Sequence, residues 1–353
     1  MQSGGTANLR TNLSHSAKLT SIKDIARVAR VSHSTVSRAL SNSPLVNQKT
    51  AEKIRRIARD SGYRASAVAR SLVTRRSHTI GVVVTNIADP FVAGVVSGIE
   101  ETAEGHGFSV FLANSNAEPE REVRVVRSFE ERRVDGIIVT ASRVGARYVP
   151  LLSNMRVPIV LLNNQHPSQF AHSVMIANIQ ASLDATRHLI ELGHRRIAYL
   201  GDRGGHQSET ERFTGYRQAL EAAGLRLNRR LVTQGDGKPE AAKGAMAHLL
   251  ALPQPPTAVF CYNDLSALGA IRQIRDSGLH VPGDISVVGF DDLYISQYMD
   301  PPLTTVRQPM RQMGCMAMQT LLDIFAEAES GHDIKVPGEL IVRASTAPPK
   351  EKS

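Results

Sequence analysis

The chain has 353 residues, of which 42% are hydrophobic and 21% charged, an ordinary balance for a globular protein of two or three domains. No apolar run approaches the ~18 residues of a membrane span, and Cys261 and Cys315 have neither a CxxC partner nor a histidine at ligand spacing, which argues against a disulfide framework or a metal site. The net charge of +9 is unevenly placed: residues 1–78 carry 15 lysines and arginines against 3 acids, whereas the remaining 275 carry 27 against 30.

The basic character therefore belongs to one small segment, where a polyanion would dock. Residues 1–19 are polar, rich in Ser, Thr and Asn, and lack an apolar core, so they read as a disordered tail and not as a secretion signal. Ser21 followed by Asp24 marks a helix start, and Ile22, Ile25, Ala26 and Ala29 recur at helical spacing. After a short turn at Arg30-Val31, Ser32 caps a second helix over 33–40, with Val36, Ala39 and Leu40 facing inward. His33, Ser34, Thr35, Ser37 and Arg38 then face outward. Asn47 caps a third helix that ends at Gly62. A short helix with outward hydroxyls, an imidazole and one arginine suits the major groove, where hydroxyls take phosphates and arginine grips guanine bidentately. A generic three-helix bundle with a solvated face has the same composition.

The string SIKDIARVARVSHSTVSRAL (21–40), followed by GYRASAVARSL (62–72), resembles the head and hinge of the lactose-repressor/galactose-repressor (LacI/GalR) family of bacterial transcription regulators. The resemblance implies a helix-turn-helix DNA-binding domain over 20–64. Ser32 would open its reading helix, His33 and Ser34 and Arg38 would read bases, and Thr35 and Ser37 would meet phosphates, with Tyr63 also in the DNA-binding set. Arg30 departs from the glycine common in the family's turn, so it carries either mild strain or an added phosphate contact. A hinge helix and linker over 65–78 would place Ala69 on DNA and Leu72 in the minor groove, although Leu72 also reads as a core leucine. Ala65-Ser66 stands where the family often has Pro-Asn, which makes the hinge costlier to order by about 0.4–1 kcal/mol.

From residue 79 short β-branched runs alternate with amphipathic stretches. Strands are expected at 80–84, 109–113, 136–139 and 159–162, with helices at 91–105, 120–132 and 179–192. The theme then restarts, with strands at 196–200, 231–233, 258–261 and 285–289 and helices at 210–223, 238–250 and 266–277. Alternation implies parallel sheets covered by helices, and the restart implies two doubly wound α/β lobes. GHRRIA (193–198), ISVVGFDD (285–292) and PPLTT (301–305) extend the resemblance to the family's periplasmic-binding-protein-like core over 79–346. By that resemblance the first lobe comprises about 79–177 and 308–337 and the second about 178–307 and 338–346, leaving 347–353 as a tail.

Ligands in such folds sit past the carboxyl ends of strands, in the cleft between lobes. Asp89-Pro-Phe91, Arg212 (expected to open its helix), Asn263 and Asp291 all fall there. A carboxylate, a guanidinium and an amide beside an aromatic wall fit a sugar-like effector. The resemblance assigns Phe91, Arg212, Asn263 and Asp291 to effector contact, and Thr140, Asn163 and Ser208 to less fixed pocket positions. An inter-lobe salt bridge is the other reading of Arg212 and Asp291. Val92, Ala177 and the absence of an aromatic around 237–239 depart from the family. They imply either a small pocket or an effector without a broad apolar face, more a monosaccharide or sugar acid than a purine.

No Walker A, GxGxxG, HExxH or GxSxG string occurs. His188 and His194 read as structural, and no catalytic set or cofactor is expected. A transport-type solute-binding protein shares the core fold but would not carry the basic head. The expectation is thus a cytoplasmic, nucleoid-associated regulator, most simply a repressor. It would bind a pseudo-palindromic double-stranded operator as a homodimer, because one head buries too little surface for high affinity, and the absence of leucine heptads in the tail favours a dimer over a tetramer.

Overall fold

The computed structural model describes residues 21–41, 43–63, 76–141, 155, 157–163, 172–328 and 333–350. The expected N-terminal tail and the hinge positions Ala69 and Leu72 lie outside them. The chain divides into two units, Met1–Ser77 and His78–Ser353.

In the first unit, α1 (Ile22–Ala29) opens with a capping box: Ser21 Oγ accepts from Asp24 N, and Asp24 Oδ2 accepts from Ser21 N at 2.9 Å. Ser32 Oγ accepts from Thr35 N at 3.1 Å to start α2 (His33–Leu40), and Asn47 Oδ1 accepts from Lys49 N at 2.9 Å to start α3 (Gln48–Asp60). Ile25, Ala26, Ala29, Val36, Ala39, Ala51, Ile54 and Ala58 form one buried core. Fully burying Val36 and Ile54 contributes about 1.5–3 kcal/mol each, so this small bundle depends on a handful of side chains.

The second unit holds two six-stranded sheets. The first contains β1 (Thr79–Val84), β2 (Ser109–Asn114), β3 (Gly136–Thr140), β4 (Ile159–Leu162) and β5 (Ser173–Ile176), together with β11 (Asp333–Val336). The second contains β6 (Ile197–Asp202), β7 (Val232–Gly235), β8 (Ala258–Cys261), β9 (Ser286–Asp291), β10 (Thr304–Arg307) and β12 (Glu339–Ile341). The orders are β11-β5-β4-β3-β1-β2 and β12-β10-β9-β8-β6-β7. Every pairing is parallel except β10 with β12.

The covering helices are α4 (Pro90–Gly105), α5 (Pro119–Glu131), α6 (Asn178–Glu191), α7 (Gln207–Ala222), α8 (Pro239–Leu250), α9 (Asp264–Asp276) and α10 (Met310–Phe325). Strands such as β3, β6 and β9 are buried along their whole length, as β-branched runs covered on both faces must be. The chain leaves the first sheet after β5, returns for β11, and ends in the second with β12.

Two glycines let α4 and α10 approach: a Cβ on Gly98 would run into the Arg311 carbonyl, and one on Gly314 into that of Val95. Two histidines of the second lobe, His188 and His194, are tied to the C-terminal segment. His194 is buried, its Nε2 facing Ala347 O at 2.9 Å and its Nδ1 facing Thr257 Oγ1 at 2.9 Å, while His188 Nε2 meets Thr346 Oγ1 at 3.0 Å. Burial lowers both imidazole pKa values, which keeps them neutral.

Candidate functional site

The outward face of α2 is exposed at His33, Ser34 and Arg38 and half-buried at Thr35 and Ser37. Ser32 Oγ lies 2.8 Å from both Ser34 Oγ and Thr35 Oγ1, so three hydroxyls cluster at the helix start. Tyr63 packs half-buried against the head's core, and its N donates to Ala58 O at 2.9 Å.

In the body, a cavity of about 800 Å³ opens between the two sheets at the carboxyl ends of their strands. Phe91, Thr140 and Asn163 line it from the first lobe, and Ser208, Arg212, Asn263 and Asp291 from the second, so all seven positions named from sequence share one space. Arg212 lies in the second turn of α7, which starts three residues earlier than expected because the His206 carbonyl already accepts from Thr210 N. Arg212 and Asp291 both belong to the second lobe, so they do not form an inter-lobe bridge.

Arg212 is buried and held on every side. Nε donates to Asn178 Oδ1 at 3.0 Å, an Nη donates to Tyr262 O at 2.6 Å, and that nitrogen stands 3.9 Å from Asp291 Oδ1. Its guanidinium lies 3.6 Å from the Phe290 ring centre and 4.7 Å from that of Tyr262. Asp291 Oδ1 accepts from Gln308 Nε2 at 2.6 Å. Burial pushes this carboxyl well above its ordinary range, and the Arg212 charge pulls it back. Asp89 caps α4 by accepting from Phe91 N at 2.9 Å, and burial raises it too.

The remaining positions are more committed to the scaffold. Thr140 Oγ1 donates to Val83 O at 3.2 Å. Asn263 caps α9, with Oδ1 accepting from Ser266 N at 2.8 Å and Nδ2 donating to Gly237 O at 3.0 Å. Asn163 Oδ1 and Gln308 Oε1, both on cavity-lining residues, have no hydrogen-bond partner among the described residues. Such buried acceptors are costly unless something outside the chain donates to them.

Sequence reasoning missed Tyr262, Gln308, Asn178 and Phe290. The Tyr262 hydroxyl meets Ser208 Oγ at 2.9 Å, and its ring lies beside Gly237, the stretch that lacks an aromatic of its own. A second aromatic therefore lines the cavity, and the expectation of a small pocket does not hold at this volume. Behind the rim, Glu209 accepts from Tyr199 Oη at 2.9 Å and Asp202 N at 3.0 Å, and burial pushes its carboxyl up to about 7.

A helix-turn-helix head and a two-lobed ligand-binding core in one chain define a transcription regulator. Residues 21–66 match the model for bacterial regulatory proteins of the lacI family, and residues 186–346 match a periplasmic binding protein-like domain. The transcriptional repressor CytR of Escherichia coli K12 is 37% identical over 326 residues, 92% of this chain and 96% of that protein. The repressor PurR of Aliivibrio fischeri ES114 is 34% identical over 333 residues, 93% and 99% of the two chains. Among solved structures, the lac repressor dimer bound to operator and the anti-inducer ONPF superposes with a TM-score of 0.86 at 28% identity, over 94% of this chain and all of that one. The regulator CelR in complex with cellobiose gives 0.70 at 33%, over 92% and 99%. This chain belongs to the lacI family of bacterial regulatory proteins. The relatives named are transcription regulators, not enzymes.

Proposed function

We propose that the protein is a repressor that binds a pseudo-palindromic operator as a homodimer and changes its DNA affinity when a small polyhydroxylated molecule occupies the cavity. One observation carries this reading: seven positions, four read from their chemistry and three from the family resemblance alone, line one cavity in a chain whose head exposes His33, Ser34 and Arg38 on a short helix. Arg212 and Asp291 form the polar floor of that cavity, while Phe91 and Tyr262 give it apolar walls on both lobes. Hydroxyl groups of the ligand would satisfy Asn163 Oδ1 and Gln308 Oε1. Only a ligand that binds two arrangements of the lobes unequally can shift DNA affinity. The operator dimer of the lac repressor and the cellobiose complex of CelR support the two halves of the reading by likeness. No helix among the described residues is long and apolar enough to cross a membrane, and the site of action is the nucleoid.

In this reading His33, Ser34 and Arg38 read bases, Ser32, Thr35 and Ser37 meet phosphates, and Ala69 and Leu72 belong to the hinge. Tyr63 acts by supporting the head's core. The test is selection of duplexes from a random pool by the wild type, followed by binding of the selected sequence to Arg38→Ala. The variant should lose its preference for that sequence while keeping weak, salt-sensitive binding. Retained preference would remove Arg38 from the reading set, and failure of the wild type to enrich any sequence would overturn the proposal.

A further inference from the structure

The turn between α1 and α2 is closed by a residue of the wrong kind for its backbone. Arg30 has φ 57° and ψ 47°, the left-handed region that glycine or asparagine usually supplies at a helix end. The hydrogen bonds of this end, Val31 N to Ala26 O at 3.0 Å and Arg30 N to Arg27 O at 3.3 Å, are backbone bonds that glycine would make as well. The arginine side chain is not needed to cap the helix either, because Lys53 Nζ already donates to Ala29 O at 3.3 Å. Nor does it neutralise an acid: the nearby Asp24 is paired with Arg27 at 2.9 Å. Arg30 is exposed and has no side-chain partner among the described residues. A costly backbone conformation is thus occupied by a charged side chain that does nothing for the fold.

We infer that Arg30 is a DNA-contacting residue whose guanidinium binds a backbone phosphate beside the groove that receives α2. This rests on the DNA-binding reading above and adds a contact that the reading does not contain. Two residues after Arg30, Ser32 begins the hydroxyl cluster with Ser34 and Thr35, so the charge stands at the end of α2 from which base edges are approached. A guanidinium here carries no sequence information and fixes register on the duplex. It does so by releasing counterions, which makes its contribution measurable as a salt dependence.

The experiment compares the full-length wild type with Arg30→Gly, Arg30→Gln and Arg30→Lys by fluorescence anisotropy on a labelled random-sequence duplex between 50 and 200 mM KCl. Gly and Gln both remove the charge, but only Gly also relieves the backbone, so a folding defect cannot produce the same result in both. Each should flatten the slope of log K against log salt by about 0.9, and across this range the wild type should lose about 3.5-fold more affinity than either variant. Arg30→Lys should keep the wild-type slope. Unchanged slopes in Gly and Gln, with salt-sensitive binding by the wild type, would overturn the assignment and leave the DNA-binding reading standing. A wild type without salt-dependent binding would overturn both.

Discussion

Replacing Arg212 with alanine probes the core of the cavity. The guanidinium is buried, with 3% relative exposure, and its removal does three things at once. Asn178 Oδ1 and the Tyr262 carbonyl lose charged donors at 3.0 and 2.6 Å, the faces of Phe290 and Tyr262 lose their packed cation, and Asp291 loses its counter-charge. Breaking a buried pair from one side costs about 3–5 kcal/mol, which for a domain of 150–250 residues lowers Tm by roughly 10 °C. Asp291 already lies well above its ordinary range in the wild type, and without Arg212 only the Gln308 amide is left to favour its charged form, so its pKa rises further. A carboxyl whose folded pKa is raised contributes stability that is fully present below its unfolded pKa and is lost as pH rises through the folded one. Both proteins therefore lose stability from this group as pH rises, and the deficit of the variant widens only where the wild-type carboxyl has ionised and the variant's has not. Urea unfolding of both proteins at pH 4.5, 6 and 7.5 reads this directly. A deficit below about 1 kcal/mol at all three pH values would refute the argument.

The same linkage applies to Glu209, which burial pushes up to about 7. Its stabilising proton is fully held below about pH 4.5 and lost toward 7, so Glu209→Gln should fall less in stability than wild type over that interval, by up to about 3 kcal/mol; parallel urea series would coincide if the reasoning is wrong. Gly98→Ala should destabilise by about 1–3 kcal/mol because its Cβ meets the Arg311 carbonyl. Gly105→Ala on the same helix meets nothing within 4 Å and should be neutral or better, so equal melting shifts for the two would remove close packing of α4 on α10 as the cause.

What could be read in advance follows the range of the forces involved. The head was legible because its signals are local: Ser21, Ser32 and Asn47 satisfy amides two or three residues away. Most of the alternating strands and helices of the body were legible for the same reason, with boundaries displaced by no more than three residues, but helix α10 (Met310–Phe325) was not among the expected elements. Strands β5, β10, β11 and β12 were not among the expected elements. Each is three or four residues long and is held by pairing with a strand distant in sequence, β5 with β11 and β10 with β12.

The cavity shows a similar division. Phe91, Asn263 and Asp291 stand where strands end, and that rule places them in the cleft. Tyr262 and Gln308 follow the ends of β8 and β10 and obey the same rule, so the signal existed and was not applied to them. Asn178 follows the end of β5, a strand not expected from sequence, so the rule could not place it. It reaches Arg212 only because α6 packs against α7, where a Cβ on Gly215 would strike the Ile179 carbonyl.

The most direct test of the account is anisotropy of the full-length protein on a duplex from its own upstream region, with and without a pool of sugars and sugar acids that includes cellobiose. The account predicts that at least one compound changes operator affinity tenfold or more, and that Asp291→Ala binds the same duplex but no longer responds. Operator binding that every compound leaves unchanged, or an Asp291→Ala variant that responds like wild type, would contradict control of the head by this cavity.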